Sequence, residues 1–413
     1  MRLEWGTFLV KDAVFGHKTQ LSDGVLSIDR DGLRSFLAQD PNLGAIDVEI
    51  VHPGDETRIV HALDVVEPRF KVAGHGSTFP GLLGPPHTVG EGRTHRLRGV
   101  TVVQTADIPH RLRPTQWDEA IIDMSGPGVE YSPFGKTVNV VVGLRPVSGL
   151  TPEEYDTSLL LGGLRAAEYL AKSTADLQPE QVETFELGPV TPGLPKVAYI
   201  RVASGTNDVA IYGAKSEAMT PTLIHPNEIL DGAVVNLNWG FASERNVTYV
   251  QLNNPEVLAL YRHHGKDLNF VGVVMSGSGA RSQWEKDRNA EHLSKLARLL
   301  GAEAAIISWD WGGSSQFDLM LTCQKCEKLG IKTVLVVVEM DQSLIFSTPE
   351  ADAIVSPGIT DEVVELPEMK RVIGGETLYK TGWEAKGRLE VPVRYLMAST
   401  NRLGFHCLTA RQS

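Results

Sequence analysis

From Asn253 onward the chain repeats one rhythm: an amphipathic helical stretch, a glycine, then an apolar run rich in branched side chains. PEVLALYRHHG precedes NFVGVVM, EKDRNAEHLSKLARLLG precedes AEAAIIS, and FDLMLTCQKCEKLG precedes IKTVLVVVEM. The helical patterns close on Gly265, Gly301 and Gly330, and glycine is the residue that best takes the left-handed backbone just past a helix end. Strands that are apolar along their whole length must be buried on both faces, and the helices between them supply both covers. The expected fold is therefore α/β, with a doubly wound, mostly parallel C-terminal domain.

The beginning of the chain behaves differently. LEWGTFLV, GVLSID, AIDVEIV, ETRIVHALDVVEPRFKV and THRLRGVTVVQT are rich in Val, Ile and Thr and are separated by turn residues, which predicts a β-rich N-terminal domain over residues 1–145. Residues 73–92, AGHGSTFPGLLGPPHTVGEG, hold too much Gly and Pro to continue a helix or a central strand, so they form an ordered loop or a linker. A mixed α/β connecting region is expected over 146–235. In it TPEEYDTSLLLGGLRAAEYLAK, from Thr151 to Lys172, predicts a helix with Thr151 as N-cap, Pro152 in the first turn and acids facing the helix dipole. Residues 236–413 then make up the parallel-sheet α/β domain.

Composition narrows the partners. A formal charge of −12 argues against nucleic acid or an anionic membrane surface, because both need a cationic footprint. Arg93, Arg96, Arg98, Arg111 and Arg113 are a local exception that could meet an acidic partner, although a solvated strand face is the commoner fate of such a run. The N-terminus MRLEWGTFLV shows no signal-peptide pattern, and no apolar run is long enough to span a bilayer. Three cysteines in 413 residues make no disulfide framework, so the cytoplasm is the expected compartment.

Ligands of doubly wound sheets bind beyond the carboxyl ends of the strands. Two loops fit that position: MSGSGARSQ after Met275 and SWDWGGSSQFD after Ile307. Gly277 to Gly279 lacks the Walker and dinucleotide spacings, so a plain turn is the commoner reading beside a phosphate cradle. In the second loop Asp310, Gly312, Gly313 and Ser314, with Asp318 beyond, are candidate substrate-binding residues, since an acid there could orient an amine. The alternative is that Ser314 or Ser315 caps the helix and Asp318 complements its dipole. Cys323 and Cys326 form a CxxC inside a helical pattern, away from the helix start that would activate a thiol, so buried cysteines are expected. The twelve histidines are scattered and the adjacent pair His263 and His264 points to different helix faces, so no metal is expected.

Four stretches carry a family resemblance: FPGLLGPPHTVGEGRTHRLRGVTVV, PTLIHPNEILDGAVV, NNPEVLALYRHHGKDLNFVGVV and GIKTVLVV. They resemble the component B proprotein of glycine, sarcosine and betaine reductases, the first also being shared, more loosely, with the D-proline reductase proprotein. The resemblance implies reductive cleavage of a carbon–nitrogen bond in an amino acid or a methylated amine. It also implies a proprotein that cuts itself and leaves a pyruvoyl group to engage the substrate amine. The implied partners are a separate thiol or selenocysteine subunit that receives the carbon fragment and a thioredoxin-like electron donor.

Residues 231–274 resemble the processing region of that proprotein. The family pattern Asn-Cys-x-x-Ala-Cys falls on Asn238, Trp239, Ala242 and Ser243, with Trp239 in place of the pyruvoyl-forming Cys. Processing needs a hydroxyl or thiol to attack the preceding carbonyl, and β-elimination must then release the resulting ester or thioester. Tryptophan offers neither a nucleophile nor a leaving group, so no pyruvoyl is expected at Asn238–Trp239. Ser243 has the right chemistry but lies four residues downstream, out of the preorganised turn, and is expected to be a loop or cap hydroxyl. Three readings follow. The chain could be a working subunit whose Trp239 stacks on a cationic or aromatic substrate, a non-catalytic scaffold or ligand-binding partner of a thiol- or selenol-bearing catalytic subunit, or an unrelated stand-alone α/β enzyme.

Overall fold

A computed structural model describes residues 1–111, 119–203, 209–216, 219–237, 239–240, 242, 244–277, 282–309, 315–337, 339, 348–379, 381–405 and 408–411. The chain is mixed α/β. A seven-stranded sheet has the strand Lys196–Ala203 near its middle, parallel to Asn269–Gly277 on one side and Ala304–Trp309 on the other. Lys332–Val336 and Ala353–Ser356 continue the parallel pairing, and Thr222–Ile224 and Thr409–Arg411 close the two edges antiparallel.

Local chemistry explains why the helices between these strands start and stop where they do. Ser282 and Glu285 form a reciprocal capping box that opens the helix Gln283–Leu299. Gly265, Gly301 and Gly330 follow their helices at φ of 74°, 75° and 76°, a conformation that costs a residue with Cβ but not glycine. Ala198, Ile200, Val274, Ile307 and Leu335 form one buried cluster with Leu293 and Ala297 of the helix Gln283–Leu299 and with Leu319, Cys323 and Cys326 of the helix Ser315–Lys328.

The N-terminal portion holds two four-stranded sheets. One runs in the order Gln181–Glu186, Arg2–Leu9, Gly92–Arg98, Arg69–Ala73, and the other Leu43–Val51, Val138–Pro146, Val100–Thr105, Ala62–Val66. The helix Pro152–Ala171 buries Leu159, Leu164, Ala167 and Leu170 in the core that includes the second of these sheets. It starts as its sequence requires, with Thr151 and Glu154 in a capping box. The C-terminal stretch returns to this portion: Arg371–Ile373 pairs in parallel with Thr57–Ile59.

The Gly- and Pro-rich stretch is ordered. Gly81 sits at φ +80° with the Tyr212 carbonyl so close that an added Cβ would lie 2.0 Å from it. Only glycine fits there. The arginine run corrects an expectation, because Arg96 is buried instead of facing solvent. Its strand is interior to the sheet, its guanidinium lies 4.1 Å from the Trp5 ring centroid, and its Nε donates to Thr7 Oγ1 at 2.8 Å. Arg93 pairs with Glu4 at 2.6 Å, and Arg98 is exposed. Arg113 lies outside the described residues. Among the described residues no helix is long and apolar enough to cross a membrane.

Candidate functional site

The short strand Val234–Asn236 pairs with Val209–Ile211, and the chain then turns through Trp239 toward the helix Thr248–Leu252. Asn238 and Ser243 lie outside the described residues. Trp239 is 3% exposed and joins the apolar cluster that contains Ala210, Val235 and Leu252. Its backbone is held by Arg245, which is buried. Arg245 Nη2 donates to the Trp239 carbonyl at 2.6 Å and Nε to the Gly240 carbonyl at 3.3 Å. Nη1 reaches the carbonyls of Ala62 and Leu63 at 2.6 and 2.8 Å. One guanidinium thus ties this segment to the end of the strand Ala62–Val66.

Asp64 anchors the ends of the same segment. Its Oδ1 accepts from the Thr248 amide at 2.8 Å, its Oδ2 from the Thr248 hydroxyl at 2.5 Å, and Asn236 Nδ2 lies 3.4 Å from Oδ1. Burial pushes the Asp64 carboxyl up to about 6, against the opposing pull of the Thr248 hydrogen bonds and the Arg245 charge. Between about pH 4 and pH 6 the folded chain therefore holds a proton that the unfolded chain has released, and stability falls as pH rises through that window. A shift of this size corresponds to roughly 2–3 kcal/mol. Urea midpoints at pH 4.5 and 7 are expected to show this loss in the wild type and to lack it in Asp64→Asn. An unchanged pH slope in the variant would rule the assignment out.

A cavity of about 500 Å³ opens beside Trp239. Glu153, Asp156, Thr157 and Leu160 line it from one helix, at the i, i+3, i+4 and i+7 spacing that puts side chains on a single helical face. Leu82 comes from the Gly- and Pro-rich loop, Lys215 from the strand Ala214–Lys215, and Leu237 and Trp239 from the turning segment. His110 Nε2 lies 3.0 Å from Asp156 Oδ1, and Lys215 Nζ reaches Glu153 Oε1 at 3.5 Å. The Tyr155 hydroxyl donates to the Asp107 carbonyl at 2.8 Å and supports the His110 ring edge-on. The lining can hold a cationic group beside the helix carboxylates, an anionic group at Lys215 and an apolar body against Leu82, Leu160, Leu237 and Trp239.

Among the described residues, Trp239 is the expected site residue that lines this cavity. The stripe of Glu153, Asp156 and Leu160 was present in the helical spacing, but Glu153 served there only to explain the helix start. Lys215 and His110 carried no sequence signal, since chain folding alone brings them to the cavity.

The second predicted loop can be followed only at its edge, because Asp310, Gly312, Gly313 and Ser314 lie outside the described residues. Asp318 is described, and its Oδ2 accepts from Lys286 Nζ at 2.7 Å, joining the two neighbouring helices. Burial raises its carboxyl and Lys286 pulls it back. The Cys323 and Cys326 thiols are pushed up to about 11 and about 12 by burial, which suits apolar packing and disfavours thiolate chemistry. His263 faces Asp267, whereas His264 Nδ1 accepts from the Phe270 amide at 3.0 Å, so the two rings have separate partners. Among the described residues no group of three His, Cys, Asp or Glu side chains could hold a metal.

Fold and cavity together define a mixed α/β protein with a cavity lined by part of a sequence segment that resembles a processing region. Residues 1–411 match the family model described as glycine/sarcosine/betaine reductase component B subunits, and the chain belongs to that family. It is 37% identical over 435 residues to "Glycine reductase complex component B subunits alpha and beta" of Acetoanaerobium sticklandii, covering 100% of both chains. It is 36% identical over 433 residues to "Sarcosine reductase complex component B subunit alpha" of Peptoclostridium acidaminophilum, again covering 100% of each. "Betaine reductase complex component B subunit alpha" of the same organism is 35% identical over 404 residues, or 91% of this chain and 88% of that one. No solved structure matches the chain.

Proposed function

We propose that this chain is a component B-like subunit that stays one polypeptide and works without a pyruvoyl group, in a complex that reductively cleaves the carbon–nitrogen bond of an amino acid or amine. The names of its relatives support the complex and the reaction class. The observation that carries the rest is Trp239, seated in the cavity wall where the family pattern has its pyruvoyl-forming Cys. Its Cβ bears no heteroatom, so nothing there can attack the Asn238 carbonyl and nothing can leave by elimination. The residue present does not fit a pyruvoyl. Asn238 and Ser243, the other candidate residues of the processing pattern, are given no chemical step in this reading.

The chain's own contribution is binding and orientation. The cavity holds the substrate, Arg245 and Asp64 hold the Trp239 segment in register with it, and the thiol or selenol belongs to a separate subunit served by a thioredoxin-like donor. We read the large sheet as doubly wound, with Asp310, Gly312, Gly313 and Ser314 as further substrate contacts beyond its strand ends.

Denaturing mass spectrometry of the purified chain is expected to give one species at 45.0 kDa. Two fragments would overturn the unprocessed reading. In a pair reconstituted with its thiol-bearing partner, Trp239→Ala is expected to lower turnover about tenfold, in line with the loss of a positioning contact. Unchanged turnover would favour a scaffold that binds ligand without taking part in the reaction.

A further inference from the structure

The cavity beside Trp239 carries more information than a site for a small zwitterion requires. Its volume of about 500 Å³ is in the range that encloses ligands far larger than glycine. A molecule of that small size would leave most of the apolar wall wet, and apolar wall is what Leu160, Leu237 and Trp239 supply. The polar groups border that wall. Glu153 and Asp156 lie one helical turn apart on the stripe that continues to Leu160. Both carboxylates already receive donors, from Lys215 and from His110. Lys215 offsets the charge of the exposed Glu153, so the half-buried Asp156 supplies most of the negative field at the cavity. That arrangement suits a cation whose charge is spread over alkyl groups better than one that must donate several hydrogen bonds. Trp239 lines the same space, and an indole next to a cation adds attraction for it.

We propose that this cavity binds an organic ammonium ion with a bulky apolar body, its cationic end beside Glu153 and Asp156 and its body against Leu160, Leu237 and Trp239. This inference rests on the reading of the cavity as the substrate site and names the substrate class. In the chemistry proposed above, such a ligand would present its carbon–nitrogen bond at the junction between the helix carboxylates and the indole.

Calorimetric titration of the full chain tests it with three probes: benzyltrimethylammonium, which has cation and body; benzyl alcohol, which has the body alone; and glycine betaine, a small zwitterion. Benzyltrimethylammonium is expected to bind at least about tenfold more tightly than either of the others. Trp239→Ala is expected to weaken it by about tenfold, Asp156→Asn by about fivefold, and Glu153→Gln, whose charge Lys215 offsets, by about twofold. The two carboxylate variants leave the buried indole in place and keep the test valid if its removal perturbs folding. Equal binding of benzyl alcohol would overturn the cation requirement, and equal or tighter binding of glycine betaine would overturn the bulky body. Absence of saturable benzyltrimethylammonium binding would overturn the proposal as a whole. Each of these outcomes leaves the single-polypeptide reading intact, because that reading stands or falls on the intact mass.

Discussion

Arg245→Met is expected to destabilise the folded chain by about 3–5 kcal/mol, a large part of the roughly 5–15 kcal/mol that a domain has to lose. The guanidinium is 1% exposed and donates to four carbonyls, those of Ala62, Leu63, Trp239 and Gly240. Methionine fills much of the same volume but donates nothing, so those oxygens are left buried with fewer donors. Each such group costs about 1–3 kcal/mol, with part of that recovered if water enters. Arg245→Lys should recover little, because a single ammonium cannot span acceptors on two separate segments. Urea denaturation with far-UV circular dichroism measures the loss. A change below about 1 kcal/mol would mean that the segment is held by other contacts, among them the Ala398 amide to the Ala242 carbonyl at 2.8 Å.

Arg58→Met is expected to have an effect of the same size for a different reason. Arg58 and Asp123 are both fully buried and form a two-pronged pair at 2.6 and 2.9 Å. The same guanidinium donates to the carbonyls of Pro367, Ala385 and Gly387, which pins the returning C-terminal stretch to the N-terminal portion. Removing the cation strands a buried carboxylate, a change that costs about 3–5 kcal/mol. Burial already pushes the Asp123 carboxyl up and Arg58 holds it down. Without Arg58 the carboxyl takes up a proton more readily, so the damage should be smaller at pH 5 than at pH 8. Limited proteolysis should open the stretch between Pro367 and Gly387 first. The double variant Arg58→Met with Asp123→Leu should recover part of the loss, and failure to recover any would show that the three carbonyl contacts dominate.

Much of the secondary structure was legible in the sequence because it follows from contacts a few residues apart. The Thr151 cap and the glycines at 265, 301 and 330 each act within one helical turn, and the structure uses them as the sequence implies. Within the arginine run, Arg96 was misread because burial depends on what covers a strand. Trp5, which lies under Arg96, is far away in the chain.

For the site, residue identity at position 239 was enough to decide one matter. A side chain without a heteroatom on Cβ cannot become a pyruvoyl in any fold, since the limit is set by covalent chemistry. The rest needed the tertiary structure. The cavity takes its lining from a helix, a loop, a hairpin and the Trp239 segment, and its supports, Arg245 and Asp64, act on partners up to 184 residues away. Sequence spacing determines which side chains share one helical face. Only long-range packing decides that Glu153, Lys215, His110 and Trp239 meet around one space, because apolar burial and buried hydrogen bonds are satisfied between segments, not within them.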